Sequence, residues 1–173
     1  RLFHKEYRGE RKNFLIFTEH PHCFTYNHKP IEAQLRVPEE IFRALRVPVI
    51  QATRGGEAMY HGPGQLVAYF IIDLTKLKID LLQFTSLLTS TGIRLLSQFG
   101  IYAAPRADNP ELSKKDGAAG VWVYGKRKIL SRGLRIERSK DKQAITKFGF
   151  AFNVSCDLQY FSYIYPCGFD IEM

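Results

Sequence analysis

No run of this sequence is apolar enough to cross a bilayer. The longest, Leu66 to Ile72, has seven residues, where a spanning helix needs about 20. Cysteine is scarce: Cys23, Cys156 and Cys167 are the only three, and no two form a CxxC pair. An odd count without that spacing excludes a disulfide scaffold and a zinc ribbon. It fits a reducing, cytoplasmic setting, with no metal expected and one thiol open to chemistry. No secretory signal pattern opens the chain, and the first residue is Arg1 rather than Met, so the sequence reads as clipped there. Repeats, low-complexity tracts and linkers are missing too, and residues 1–173 read as one domain.

Acidic residues are also short, 17 against 25 Lys and Arg, for a net charge of +8. The stretch from Lys126 to Lys147 carries +7 of this, with nine bases against Glu137 and Asp141. A basic patch so concentrated fits an acidic partner; the plain alternative is a strand pair with solvated lysines. Aromatic residues are not interleaved with the patch as stacking platforms, so neither nucleic acid nor membrane is the expected partner.

What is present is the composition of a folded globule, 45% hydrophobic and 24% charged. "NFLIFTEH" reads as a strand, "PHCFTYNHKP" as a loop, "VPEEIFRALRV" as a helix opened by Pro38 and two acids, and "VPVIQAT" as a second strand. "LVAYFIIDL" is a further strand. A helix is predicted over Leu81–Phe99, capped by Asp80 with Gln83 in a capping-box variant. Its apolar stripe runs through Leu81, Phe84, Leu88, Leu95 and Phe99, and Gly100 stops it. "PRADNPELSKKDG" is a loop; "GVWVYG" and "KRKILSRGLRIER" are two strands joined at "YGKR"; "QAITKFGFAFNVS" is one more, and "DLQYFSYI" a short helix or turn. Strands and helices without regular βαβ alternation give an α+β fold with a mixed sheet flanked by helices.

Three segments carry candidate chemistry. "RGGEAMYHGPGQL", Arg54 to Leu66, puts an arginine, a tyrosine and a histidine among breakers just before a buried strand. Glycines let backbone N–H groups approach a ligand, so it reads as a ligand loop or as an elaborate hairpin. It lacks the Lys-Ser/Thr ending of a phosphate-binding loop. In "PCG", Cys167 lies between Pro and Gly on an irregular turn and is expected to be exposed, whereas Cys23 and Cys156 read as small hydrophobes. In "GKRKILSRG", strand alternation places Lys126 and Lys128 on one side and Arg127 on the other. A lysine aimed into a pocket would activate a thiol; a solvated hairpin rim is the alternative.

"RGGEAMYHGPGQLVAYFIIDL" resembles the signature of the lipoyl(octanoyl) transferases. "EHPHCFTYNHKP", "GVWVYGKRKILSRG" and "FGFAFNVSCDLQYFSYIYPCG" resemble further motifs of that family in the same order, from about Phe14 to Gly168. The resemblance implies the fold of biotin- and lipoate-protein ligase catalytic domains. It implies a reaction in which an octanoyl group leaves acyl carrier protein, rests on an enzyme cysteine and passes to a lysine of a lipoyl domain or of the glycine-cleavage H protein. Cys167 is then the nucleophile and Lys128 its partner. The pocket is Arg54, Gly55, Gly56, Glu57, Ala58, Met59, Tyr60 and His61, with Ser131, Arg132, Gly133, Gly149, Phe150 and Ala151. The family's chemistry needs no cofactor, since thioester exchange is nearly isoenergetic, and a monomer suffices for it.

The match departs at four places. Arg132 stands where the family has a hydrophobic residue and must find a carboxylate or snorkel out. Phe148 replaces a histidine. The "RIERSKDKQAITKFG" hairpin is longer, and the chain ends six residues past Cys167, so it reads as clipped there too. These departures bear on chain length and acceptor choice. They keep as alternatives a divergent or inactive homologue, or a thioester hydrolase, whose basic face binds an acidic partner.

Overall fold

The computed structural model describes residues 12–27, 29–105, 120–138, 143–168 and 173. In chain order they form β1 (Phe14–Thr18), β2 (Cys23–Tyr26), α1 (Glu39–Ala44), β3 (Val49–Gln51), β4 (Met59–His61), β5 (Gln65–Ile71), α2 (Leu74–Leu77), α3 (Leu81–Gln98), β6 (Ala103–Ala104), β7 (Gly120–Val123), β8 (Arg127–Arg132), β9 (Arg135–Arg138), β10 (Ala144–Lys147) and β11 (Gly149–Asn153). Single 3₁₀ segments cover Glu32–Gln34, Leu158–Tyr163 and Pro166–Gly168.

The largest sheet has the order β1-β5-β11-β8-β7-β6, and each neighbouring pair in it is antiparallel. The mixed pairing expected of the fold lies in the smaller sheet β3-β2-β4, where β2 runs parallel to β3 and antiparallel to β4. β9 and β10 form a separate ribbon. The α+β reading therefore holds, with the parallel element confined to one strand pair.

One face of the large sheet is covered by α3. Ala68 and Phe70 of β5 pack with Phe84 and Leu88, and Leu130 and Phe152 pack with Leu96. The helix forms where the sequence places it. The Asp80 carboxylate accepts from the Gln83 N–H (2.7 Å) while the Gln83 side chain accepts from the Asp80 N–H (2.8 Å), which satisfies two of the otherwise orphaned N-terminal donors. Its buried seam is Phe84, Leu88, Gly92 and Leu96 at four-residue spacing. The expected stripe drifts off this seam at its end: Leu95 and Phe99 are 41% and 74% exposed. Beyond the sheet, an aromatic cluster joins Phe24, Phe42, Tyr60 and Phe161, with Tyr60 stacked on Tyr160 at 4.7 Å.

Three sequence expectations change. "PHCFTYNHKP" is not all loop, because Cys23–Tyr26 is the central strand of the small sheet. "KRKILSRGLRIER" is two strands, broken at Gly133 and Leu134. "QAITKFGFAFNVS" is also two, because Phe148 takes a positive φ of 65° and redirects the chain from the β9–β10 ribbon into the large sheet. The "PRADNPELSKKDG" loop beyond Pro105 and the hairpin tip at 139–142 lie outside the described residues.

Replacing Asp80 by Ala removes the cap and should destabilise the protein by about 1 kcal/mol. In a domain of this size that lowers Tm by about 2–4 °C. A thermal melt by circular dichroism checks it, with Asp80→Asn expected near wild type.

Candidate active site

Lys128 and Cys167, 39 residues apart in sequence, meet in the interior: Nζ lies 3.2 Å from Sγ. Lys128 is 1% exposed and Cys167 is 7% exposed. Plain alternation along β8 would prevent this meeting. Leu130 pairs with Phe152 and Arg132 with Phe150, and these belong to the face covered by α3. Lys128, two residues before Leu130, should join them there. Across the strand, however, Val121 pairs with Leu130 and the next residue, Trp122, pairs with Lys128, skipping Ile129. The extra residue is a β-bulge, and it turns Lys128 to the opposite face, as such bulges do. Gly120 gives it room, since a Cβ there would lie 2.6 Å from the Lys128 Cε. An ammonium so buried is costly unless compensated; the Cys167 sulfur and the Trp122 ring, 5.7 Å from Nζ to its centroid, both stand by it. Lys126 does not share this face. It sits exposed in the turn before β8, outside the alternation.

Cys167 itself is not on an exposed turn. Ile164 and Cys167 belong to the aromatic cluster, which draws the Pro166–Gly168 turn inward. The Cys167 N–H donates to the Ala58 carbonyl (3.1 Å) and the Gly168 N–H to Tyr165 (2.9 Å). Cys167 takes a φ of +57°, a conformation uncommon for a non-glycine residue and kept where the surroundings impose it. The Glu57 carboxylate lies against Gly168 so closely that a Cβ there has no room, and it forms an ion pair with Lys29.

Beside this pair a cavity of about 170 Å³ opens between the two sheets, against the roughly 10–15 Å³ that one trapped water needs. Of the expected pocket residues, Arg54, Met59, His61, Ser131, Arg132, Gly133, Gly149, Phe150 and Ala151 line it. Gly55, Gly56, Glu57, Ala58 and Tyr60 do not, nor do Lys128 and Cys167. Tyr60 falls between Met59 and His61 on β4, so it faces the other way. There it is fully buried, its hydroxyl 2.8 Å from Nδ1 of His22. Arg132 is half-buried, and its guanidinium donates to the Thr85 carbonyl of α3 (2.9 Å) while the residue also lines the cavity. Phe148 lines the cavity with an apolar ring. Ser131 Oγ is buried and has no hydrogen-bond partner among the described residues. His20, Cys23, Thr25, Ile50, Ala52, Val67 and Tyr69 complete the wall and were missed. Cys23 and Thr25, and Val67 and Tyr69, are alternate residues of β2 and β5, so period-two counting exposes them once β2 is known to be a strand.

A polar chain runs along this wall. Arg54 Nε and Nη2 donate to Thr25 Oγ1 (3.1 and 2.7 Å), and Nη2 also donates to the Thr25 carbonyl (2.8 Å). Thr25 Oγ1 is 3.3 Å from His61 Nε2, and His61 Nδ1 is 2.7 Å from Gln65 Oε1. The Gln65 amide donates to the Tyr60 carbonyl and to Asn153 Oδ1, so its oxygen can only accept. His61 therefore carries its proton on Nδ1 and takes the Thr25 hydroxyl proton at Nε2. Burial, aided by the charges of Arg54 and His20 and opposed by the Gln65 hydrogen bond, pushes His61 down to about 4. Burial also lowers Arg54, against the charge of Cys167. Arg54 thus belongs both to the cavity wall and to the surroundings of the thiol. Among the described residues, no carboxylate lines the cavity.

Because His61 is held below its ordinary 6.5, at about 4, the unfolded chain binds its proton first as pH falls. Stability from this group is complete above about pH 6.5 and is lost toward pH 4, by no more than about 3 kcal/mol. Urea denaturation at pH 7 and pH 4.5 should show the loss, and His61→Gln should reduce the difference.

All 173 residues match the model of the lipoyl protein ligase A/B catalytic domain. An octanoyltransferase of Bacteroides fragilis is 36% identical over 173 residues, covering 97% of this chain and 72% of its own length. One from Marinobacter nauticus is 42% identical over 151 residues, covering 87% and 61%. Among solved structures, a lipoate-protein ligase A bound with ATP superposes with a TM-score of 0.71 at 17% identity, over 95% of this chain and 66% of the other. A bipartite lipoate protein ligase of Thermoplasma acidophilum, studied with its E2 lipoyl domain, gives 0.64 at 17% identity, over 92% and 57%. These structural likenesses carry the fold. With the family model and the sequence relatives, they show that the chain belongs to the lipoyl protein ligase A/B catalytic-domain family.

Proposed function

We propose that residues 1–173 act as one catalytic unit, an octanoyltransferase of lipoate biosynthesis that carries the acyl group on Cys167. The observation that supports this most is the buried Lys128–Cys167 contact beside a cavity that no carboxylate of the described residues lines. The relatives at 36% and 42% identity are octanoyltransferases. An ATP-using ligase, the activity of the more distant structural neighbours, has no need for a thiol set against a buried lysine.

In the first half-reaction the Cys167 thiolate attacks the carbonyl of the octanoyl thioester on acyl carrier protein. The C–S bond to the carrier breaks, and the departing sulfur takes a proton from Lys128. Lys128, now a neutral amine, removes a proton from the ammonium of the acceptor lysine, a residue of a lipoyl domain or of the glycine-cleavage H protein. The freed amine attacks the Cys167 thioester, an amide forms, the Cys167 sulfur leaves, and one proton goes to solvent. The sum is carrier thioester plus lysine ammonium giving carrier thiol, amide and a proton, with no ATP consumed. The cavity takes the alkyl chain against Ile50, Met59, Val67 and Phe148, and Arg54, in the wall and near the thiol, is the cation offered to the charge that develops on the carbonyl oxygen.

Both partners are acidic proteins in this reading. The exposed side chains of Lys126, Arg127, Arg135 and Arg138 are the basic groups offered to them; Lys128 is buried, Arg132 is half-buried, and Lys147 is paired with Glu137 (2.7 Å). The setting is the cytoplasm, and no helix among the described residues is long and apolar enough to cross a membrane.

Incubation with octanoyl-acyl carrier protein should add one hydroxylamine-labile octanoyl group to the intact mass, and Cys167→Ser should abolish it. Lys128→Met keeps the length of the side chain without its charge and should slow acylation about 10²-fold or more. A folded wild-type chain that gains no mass would overturn the proposal.

A further inference from the structure

We infer that Glu57 is the carboxylate that receives the ammonium of the acceptor lysine, and that Lys29 occupies its place until the acceptor arrives. This rests on the reading in which Cys167 carries the acyl group.

The site around the thiol has an electrostatic problem. In the acyl-enzyme Lys128, 3.2 Å from Sγ, is a neutral amine, and Arg54, close enough to feel the charge of Cys167, is the cation that remains beside it. An acceptor lysine brings a further cation toward this largely desolvated place. Like charges in such surroundings repel strongly, and among the described residues the cavity wall has no carboxylate to offset them.

Glu57 is placed to do so. Its carboxylate lies against Gly168, the residue after the thiol. The backbone of the two segments is tied by the Cys167 N–H bond to Ala58, the residue after Glu57. Unlike Lys128 and Cys167, the Glu57 side chain is reachable from solvent at 25% exposure, the property a docking group for a protein-borne side chain requires. Gly168, at a φ of +77° that favours glycine, brings the turn against the carboxylate.

The carboxylate already holds a lysine ammonium, that of Lys29, whose side chain is 54% exposed. Lys29 shows that an ammonium arriving from the solvent side fits. An exposed ion pair of this kind contributes little to stability, so exchanging one ammonium for another is nearly neutral. The chemistry then follows the order already given. The docked ammonium loses a proton to the Lys128 amine, the neutral nitrogen leaves Glu57 for the thioester carbon, and Lys29 returns to the carboxylate.

The test isolates the second half-reaction. Octanoyl-enzyme is prepared from wild type, Glu57→Gln and Glu57→Asp, and its decay is followed by intact mass with two acceptors. One is a lipoyl domain, whose lysine arrives charged; the other is hydroxylamine, uncharged at pH 7. Glu57→Gln should raise KM for the lipoyl domain by about tenfold, the effect expected of a hydrogen bond to a charged group, and slow hydroxylamine release far less. Glu57→Asp should recover part of the KM. Equal loss with both acceptors would mean that Glu57 only supports the Gly168 turn, and would overturn the inference. Acyl-enzyme that forms normally and transfers to the lipoyl domain with unchanged KM would overturn it while leaving the octanoyltransferase reading intact. A wild-type chain that takes no acyl group would remove both.

Discussion

A lysine ammonium buried against a cysteine sulfur is the constraint around which this site is organised. A lone buried ammonium costs several kcal/mol, so every element near it must bring compensation or room. The skipped residue Ile129 aims Lys128 at the right face, and Gly120 opposite leaves space for its methylene chain. The aromatic cluster draws the Pro166–Gly168 turn inward until Cys167 reaches the ammonium with a left-handed backbone. Removing the bulge would return Lys128 to the face of α3 and leave the thiol without its partner.

The two sheets divide the remaining work. The large sheet gives one face to α3, which forms the packed core, and the other to the cavity through Val67, Tyr69, Ser131 and Ala151. The small sheet closes the cavity with alternate residues of β2 and β4. Between them the chain from Arg54 through Thr25 and His61 to Gln65 is hydrogen-bonded throughout, so the wall is stiff and His61 is neutral. Arg54, the cation of this hydrogen-bonded chain, also stands near the thiol. The second arginine at the cavity, Arg132, has its guanidinium tied to α3.

Much of this could be read from the sequence. The helix with its Asp80–Gln83 box, the strands around "VAYFIID" and the chemical interest of Lys128 and Cys167 follow from periodicity, capping and family motifs. Other features depend on non-local geometry. Alternation placed Lys126 with Lys128 by counting it as a strand residue, whereas it lies in the turn before β8; the bulge that turns Lys128 away from the face of Leu130 leaves no mark in a single strand's sequence and exists only in the pairing with β7. The Pro-Cys-Gly turn looked exposed because its burial comes from aromatic residues as distant as Phe24 and Phe42. Five of the eight residues of "RGGEAMYH" do not line the cavity, Tyr60 among them because the β4 strand turns it away from Met59 and His61. Arg132 lines the cavity as expected, but only the folded chain shows its guanidinium bonded to the Thr85 carbonyl of α3.

The most direct test of the coupling between Lys128 and Cys167 is the rate at which iodoacetamide alkylates Cys167 at pH 7, read by mass spectrometry on a background of Cys23→Ala and Cys156→Ala. If the buried ammonium stabilises the reactive form of the sulfur, Lys128→Met slows alkylation about tenfold or more in a chain that melts like its parent. Equal rates in the two proteins would show that the lysine and the thiol are neighbours without being chemically coupled.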